Sequence, residues 1–256
     1  MASFRPIAFA VLLALVAAPA RAWTPRTRVQ MVDEAVRLLP ASLRLAIEHR
    51  REPLLRGMLE PMTGEDGPSH RPPWQGGTLD AEIAERAVAL VRSVESAASF
   101  DEVARAFGAL AHFVADAGYP PGAAGADGAA RYTDFGSFCE SRRPRFPLVF
   151  YGYDDRDLAR GDFRGFGRRV LERARKEFPN LERAYATAGT PPDPAAFDDR
   201  SVPFAVASLS YSNTVTDIAR AWLAAWQAAH GDTGRTPYSG PRTAPREDKR
   251  KEERNP

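Results

Sequence analysis

Apolar residues along the chain recur at helical spacing, separated by segments rich in proline and glycine. Val29, Val32, Val36 and Leu39 fall on one helical face, and Pro40 ends the run. Leu43 to Gly57 predicts a second helix, interrupted at Pro53. Glu60 to Gly77 carries too much Pro and Gly for a regular element and reads as loop. Leu79, Ile83, Ala87, Leu90 and Val94 mark the next helix, and Ser99 with Glu102 forms a capping box for the one after it. Residues 118–131 read as loop and Asp157 to Phe178 as helix, with Phe163, Phe166, Val170 and Phe178 apolar. TPPDP (190–194) is a connector, and Val202 to Ala229 is a long helix with Val215, Ile218, Trp222 and Trp226 on one side. No strand-like alternation and no internal repeat occur, so the expected fold is a single-domain, all-α helical bundle.

The capped helix, FDEVARAFGALAHFVADAG (100–118), departs from a simple amphipathic pattern. Val103, Phe107, Leu110 and Val114 cluster within about 40° on the helical wheel. His112 and Asp116 lie roughly opposite them, four residues apart and therefore neighbours. Ala104, Gly108, Ala109 and Ala115 surround them and leave room for another helix to approach. The helix is thus expected to be buried on two faces, with a His/Asp pair on the second. Such a pair fits a metal site, a catalytic pair or a structural hydrogen bond.

The N-terminus adds a compartment. Arg5 precedes an unbroken apolar run of twelve residues, Ile7 to Ala18, and Ala20 and Ala22 stand at −3 and −1 of a cleavage site. Residues 1–22 therefore read as a secretory signal, too short for a span of about 20 apolar residues, and the product is expected to be secreted or periplasmic. No integral membrane segment is expected after cleavage, and Trp23 becomes the first mature residue. The single cysteine, Cys139, excludes internal disulfides and reads as a small buried hydrophobe.

Charge narrows the partners. The 256 residues hold 35 Lys plus Arg and 33 Asp plus Glu. The signal carries two arginines, and the tail from Thr233 carries seven basic and four acidic residues, which leaves 26 basic and 29 acidic residues in the body. A body near −3 argues against broad nucleic-acid binding by charge alone, and no specific nucleic-acid partner is expected. The division is then signal 1–22, helical domain 23–232 and a polar, disordered tail 233–256.

LAHFVADAGYPPG (110–122) resembles the core motif of the zinc-dependent bacterial phospholipases C, whose fold the single-strand-specific zinc nucleases share. That motif runs His, three residues, Asp, three residues, Pro, one residue, His; the matching positions here are His112, Asp116, Pro120 and Gly122. The family begins its mature chain with a ligating tryptophan, which Trp23 matches. The opening 23–40 resembles its first helix and 208–226 its last.

The resemblance implies three zinc ions, of which this chain retains few ligands. For the first ion, His112, Asp116 and the loop residue His70 are present, and the loop acid is Glu60 or Asp66. For the second, Trp23 and Asp116 remain, but the histidine five residues after the tryptophan is Arg28, which cannot ligate a cation. For the third, the positions read Gly122, Tyr132 and Gly136, and the nearby acids Asp127 and Asp134 have no histidine beside them. His49 and His230 match nothing and read as surface residues. The resemblance therefore implies at most one zinc and weak or absent phosphodiesterase activity, with a phosphorylated or lipid small molecule as ligand. The alternative is an active zinc phosphoester hydrolase, of phospholipase C or nuclease type, in which His70, His112 and Asp116 hold zinc, Arg28 clamps phosphate, and Asp116 and Arg28 are the catalytic residues. A third alternative is a helical protein whose His/Asp pair is only a hydrogen bond. Arg28 is expected either to replace the lost ion by pairing with Asp116 or to lie exposed on the first helix.

Overall fold

Thr24 starts the first helix by accepting the Thr27 N–H on its hydroxyl, with Pro25 supplying a pre-set φ at the first helical position. The computed structural model describes residues 22–64, 67–125, 127–128, 132–188 and 197–238. Its helices are α1 (Pro25–Val36), α2 (Ala41–Glu48), α3 (Arg51–Leu59), α4 (Leu79–Glu95), α5 (Phe100–Ala117), α6 (Pro120–Ala124), α7 (Asp134–Arg142), α8 (Phe163–Ala188) and α9 (Val202–Ala228). No strand occurs among the described residues, so the all-α class holds. None of their helices is long and apolar enough to cross a membrane.

α5 runs through the middle, packed by α3, α4, α8 and α9. The Ser99 hydroxyl accepts the Glu102 N–H, and Glu102 accepts the Ser99 N–H in return. From Leu110 onward every α5 residue is buried, because partners lie on both of its faces. The small residues serve the expected purpose on one side. A Cβ on Gly108 would overlap the Leu54 carbonyl oxygen, and one on Gly57 the Arg105 carbonyl, so α3 and α5 touch backbone to backbone at paired glycines. On the other side Trp222 of α9 donates its indole N–H to the Phe107 carbonyl at 2.7 Å.

Several boundaries differ from the expectation. Pro53 does not interrupt a helix: the chain breaks at His49 and Arg50, and Pro53 lies in the first turn of α3, where its missing N–H costs nothing. Between Glu60 and Gln75 the loop folds into three short 3-10 turns. α8 begins at Phe163, where the Asp162 carboxylate accepts the Gly165 N–H, and continues through Pro179 to Ala188. The sequence reading placed α6 within loop and missed α7 altogether. Residues 190–194 lie outside the described residues, as do 1–21 and the tail from 239. Residues 233–238 fold back beside the irregular segment 146–152, and the Tyr238 ring lies 5.3 Å from that of Phe150.

Ion pairs join the helices at buried acids. Asp80 of α4 meets Arg164 and Arg168 of α8, and Asp217 of α9 meets Arg173 of α8 and Arg220 one turn on. These arginines hold the bundle closed around α5.

Candidate metal centre

Trp23 positions the start of α1 against α5. Its side chain is buried, donates its indole N–H to the Ala115 carbonyl at 3.0 Å, and meets the Tyr119 ring edge-on at 5.1 Å. One and a half turns later Arg28 projects from the buried face of α1. Its guanidinium is fully buried; Nε donates to the Trp23 carbonyl at 2.9 Å and Nη2 donates to Asp116 Oδ1. Nη1 donates to the His112 carbonyl at 3.4 Å. The pairing reading of Arg28 is the one realised, and the exposed alternative is not. A guanidinium in this place does not reach solvent, so the phosphate-clamping role expected of an active hydrolase has no geometric basis here.

His70 arrives from a different direction. Pro68 opens the 3-10 turn Pro68–His70, and the Thr78 N–H to Pro68 carbonyl bond at 2.8 Å pins that turn to the base of α4. His70 Nδ1 lies 2.7 Å from Asp116 Oδ2 and 3.5 Å from His112 Nε2, and His112 Nε2 lies 3.2 Å from the same Asp116 oxygen. These three atoms form a triangle. A zinc ion holding two nitrogens and an oxygen at about 2.0–2.2 Å in tetrahedral array has ligand–ligand edges of roughly 3.3–3.5 Å. Two edges, 3.2 and 3.5 Å, match that size, whereas the 2.7 Å edge between His70 and Asp116 is the length of a direct hydrogen bond; His70, His112 and Asp116 are the group among the described residues that could hold a metal ion.

The hydrogen-bond arithmetic points the same way. His112 Nδ1 lies 2.8 Å from the Met58 carbonyl, an acceptor, so Nδ1 carries the proton and donates there. The Arg28 Nη1 contact to the same nitrogen, 3.2 Å, is then donor against donor. In neutral imidazole Nε2 now bears a lone pair, which faces the Asp116 carboxylate oxygen. In the other tautomer Nδ1 accepts from Arg28 Nη1 and Nε2 donates to Asp116, but the Nδ1 lone pair then also faces the Met58 carbonyl. Neither neutral form is free of an acceptor–acceptor contact; a cation between His112 and Asp116, or a second proton on the ring, removes it.

Electrostatics keeps the carboxylate ionised. Burial works to raise the Asp116 carboxyl, but Arg28, His112 and His70 outweigh it and hold it well below the ordinary carboxylate value. Burial also lowers His112, with Asp116 opposing and Arg28 reinforcing. Both groups bind protons less readily in the fold than in the unfolded chain. The contribution of His112 is therefore complete above about pH 6.5 and is lost as pH falls below it; that of Asp116 is complete above about pH 4 and is lost below that. Chelator-treated protein is expected to lose unfolding free energy between pH 7.5 and 5.5 in urea titrations. His112→Gln is expected to flatten that slope, and an unchanged slope in the variant would refute the assignment.

The remaining sequence candidates lie elsewhere. Glu60 does not join the cluster: its carboxylate is exposed and pairs with Arg105. It stands at the end of α3, where the rise of the helix carries it towards that arginine. Asp66 lies outside the described residues. Gly122 is half-buried, and Tyr132 and Gly136 are buried. Tyr132 is packed 5.4 Å from Phe178 and 4.9 Å from Tyr185, and Asp134 accepts the Tyr185 hydroxyl at 3.0 Å. Asp127, His49 and His230 are exposed. Cys139 is buried, and burial pushes its thiol well up. The residue that sequence reasoning missed is Met58, whose carbonyl orients His112; a backbone acceptor leaves no side-chain signal.

No family model, no curated protein and no solved structure matches this chain.

Proposed function

We propose that this is a secreted or periplasmic helical protein holding at most one zinc ion at His70, His112 and Asp116, a divergent relative of the zinc-dependent phospholipases C with weak or no phosphodiesterase activity. The observation that carries the reading is the convergence of His70, His112 and Asp116, whose ligand atoms all lie within 4.8 Å of one another in a buried place. The donor set fits zinc, since two imidazoles and a carboxylate are ordinary ligands, and the Met58 carbonyl acts as the outer partner that fixes the His112 tautomer. A zinc ion bound there would supply Lewis acidity and lower the pKa of a coordinated water.

Arg28 supports the reduced count. It occupies the Trp23 carbonyl and one Asp116 oxygen, the two groups that the resemblance assigns to a second ion, and supplies a fixed positive charge in their company. Burial supports weak turnover: His112 and Arg28 are inaccessible and the His70 side chain is 8% exposed, so a phosphodiester has little access to the centre.

Elemental analysis and native mass spectrometry of protein beginning at Trp23 test the reading. One zinc per chain is expected, lost in His112→Ala. Three ions per chain, or full occupancy in that variant, would overturn the ligand assignment. Zinc-loaded protein is expected to turn over choline-phosphodiester lipid and single-stranded DNA well below about 1 per second, the low end of ordinary enzymes. Ordinary rates abolished by His112→Ala would establish the hydrolase instead.

A further inference from the structure

The bond between Ala22 and Trp23 lies inside the fold: Trp23 is 1% exposed, Ala22 8% and Thr24 9%. Chain termini are usually loose unless something ties them down, and here both residues after the bond are tied. The Trp23 indole donates to the Ala115 carbonyl, its ring meets Tyr119, and its own carbonyl accepts from Arg28 Nε. Thr24 is fixed three times. Its hydroxyl accepts the Thr27 N–H and donates to the Glu140 carboxylate, and its carbonyl accepts the Arg28 N–H at 3.0 Å. A protease takes the residues on both sides of the bond it cuts in extended form, with main-chain hydrogen bonds to its own groove. No groove can close on Ala22–Trp23 while the start of α1 stays on α5. The decisive partners are remote in sequence, since Ala115 is 92 residues beyond Trp23 and Glu140 is 116 beyond Thr24. α1 by itself has 12 residues, and isolated helices shorter than about 12–15 residues are marginal in water. Until the chain through α5 and α7 is available, the bond is open.

We propose that docking of α1 on α5 closes the Ala22–Trp23 bond to signal peptidase, so that cleavage comes first and a chain that folds first keeps residues 1–22. The proposal rests on the secretory reading of those residues and adds an order of events to it. Trp23 makes its buried contacts with Ala22 still attached, so folding does not wait for the cut. The two processes therefore compete. The window for processing is the interval in which the first 22 residues have been presented and α5 has not yet packed against Trp23 and Arg28.

The test uses the full 256-residue chain, unfolded in urea and diluted into detergent solution. Purified bacterial signal peptidase is added at once or after a delay, and mass spectrometry reads the product that begins at Trp23. Folding during the delay is followed by tryptophan fluorescence. Cleavage is expected to fall with the delay in step with folding. The folded chain is expected to be cut at least about tenfold more slowly than the chain met unfolded, because cleavage then waits on local opening. Inserting Ser-Gly-Ser-Gly after Ala22 carries the cleavable bond about 13 Å along the chain from Trp23. That variant is expected to give the same circular dichroism spectrum and to be cut equally well at every delay. Equal cutting of the folded and unfolded natural chain, or the same delay dependence in the insertion variant, would overturn the proposal. If neither chain is cut even without a delay, the secretory reading itself fails and the proposal falls with it.

Discussion

Arg28→Met is expected to destabilise the protein by about 3–5 kcal/mol, the usual cost of removing one partner from a buried pair. For a domain of this size that corresponds to a fall in melting temperature of roughly 6–20 °C. Methionine fills much the same volume, so the loss is electrostatic rather than a cavity. It leaves the ionised Asp116 without its nearest positive charge and the Trp23 carbonyl without its Nε donor. Arg28→Lys is expected to fall between, since an ammonium keeps the charge but not the fork that spans Trp23, His112 and Asp116. Adding Asp116→Asn to Arg28→Met is expected to recover part of the loss, because the buried charge is then gone. Thermal and urea denaturation of the three variants measure this directly. A loss under 1 kcal/mol in Arg28→Met would mean that the carboxylate is neutralised by something else in the cluster.

The helices were legible where the sequence carries a local reason for them. The Ser99–Glu102 box and the apolar rows of α1, α4 and α9 are all short-range signals, and each marks an observed helix. α7 was not, because its apolar residues, Phe135, Phe138 and Cys139, sit among polar ones without a clean period; they are buried by packing against Tyr119, Tyr185 and Phe197. The expected end at Phe178 fell short, since burial of Leu181 and Tyr185 carries α8 past Pro179 to Ala188. In the candidate centre, His112 and Asp116 announce themselves by their spacing on a small-residue helix, and the sequence left Arg28 open between pairing with Asp116 and exposure, of which the structure realises the pairing. His70 has no periodic signature, and its place came from the resemblance alone. Segment 146–152 gives no signal for a related reason: a chain secured by side chains of a helix has no strand partner and hence no alternating pattern to read.

Gly108→Ala joins packing to the candidate metal centre and is expected to damage both. In an exposed helix this substitution stabilises by about 1 kcal/mol through backbone entropy. Here the new methyl overlaps the Leu54 carbonyl oxygen, and main chain cannot move aside as a flexible side chain does. α3 and α5 must separate, at a cost of about 1–3 kcal/mol or more that outweighs the helical gain. The separation has a chemical consequence, because Leu54 and Met58 stand one turn apart on α3, and the Met58 carbonyl fixes the His112 ring at 2.8 Å. Moving that carbonyl frees the imidazole to turn and removes the partner that orients Nε2 towards Asp116. Loss of such an outer partner lowers metal affinity by about 10–100-fold. Chelator competition is expected to reveal that drop in Gly108→Ala even at temperatures where circular dichroism reports a fully folded chain. Equal zinc affinity in a destabilised variant would separate the α3–α5 crossing from the centre, and a stabilised variant would mean that the two helices do not meet at their glycines.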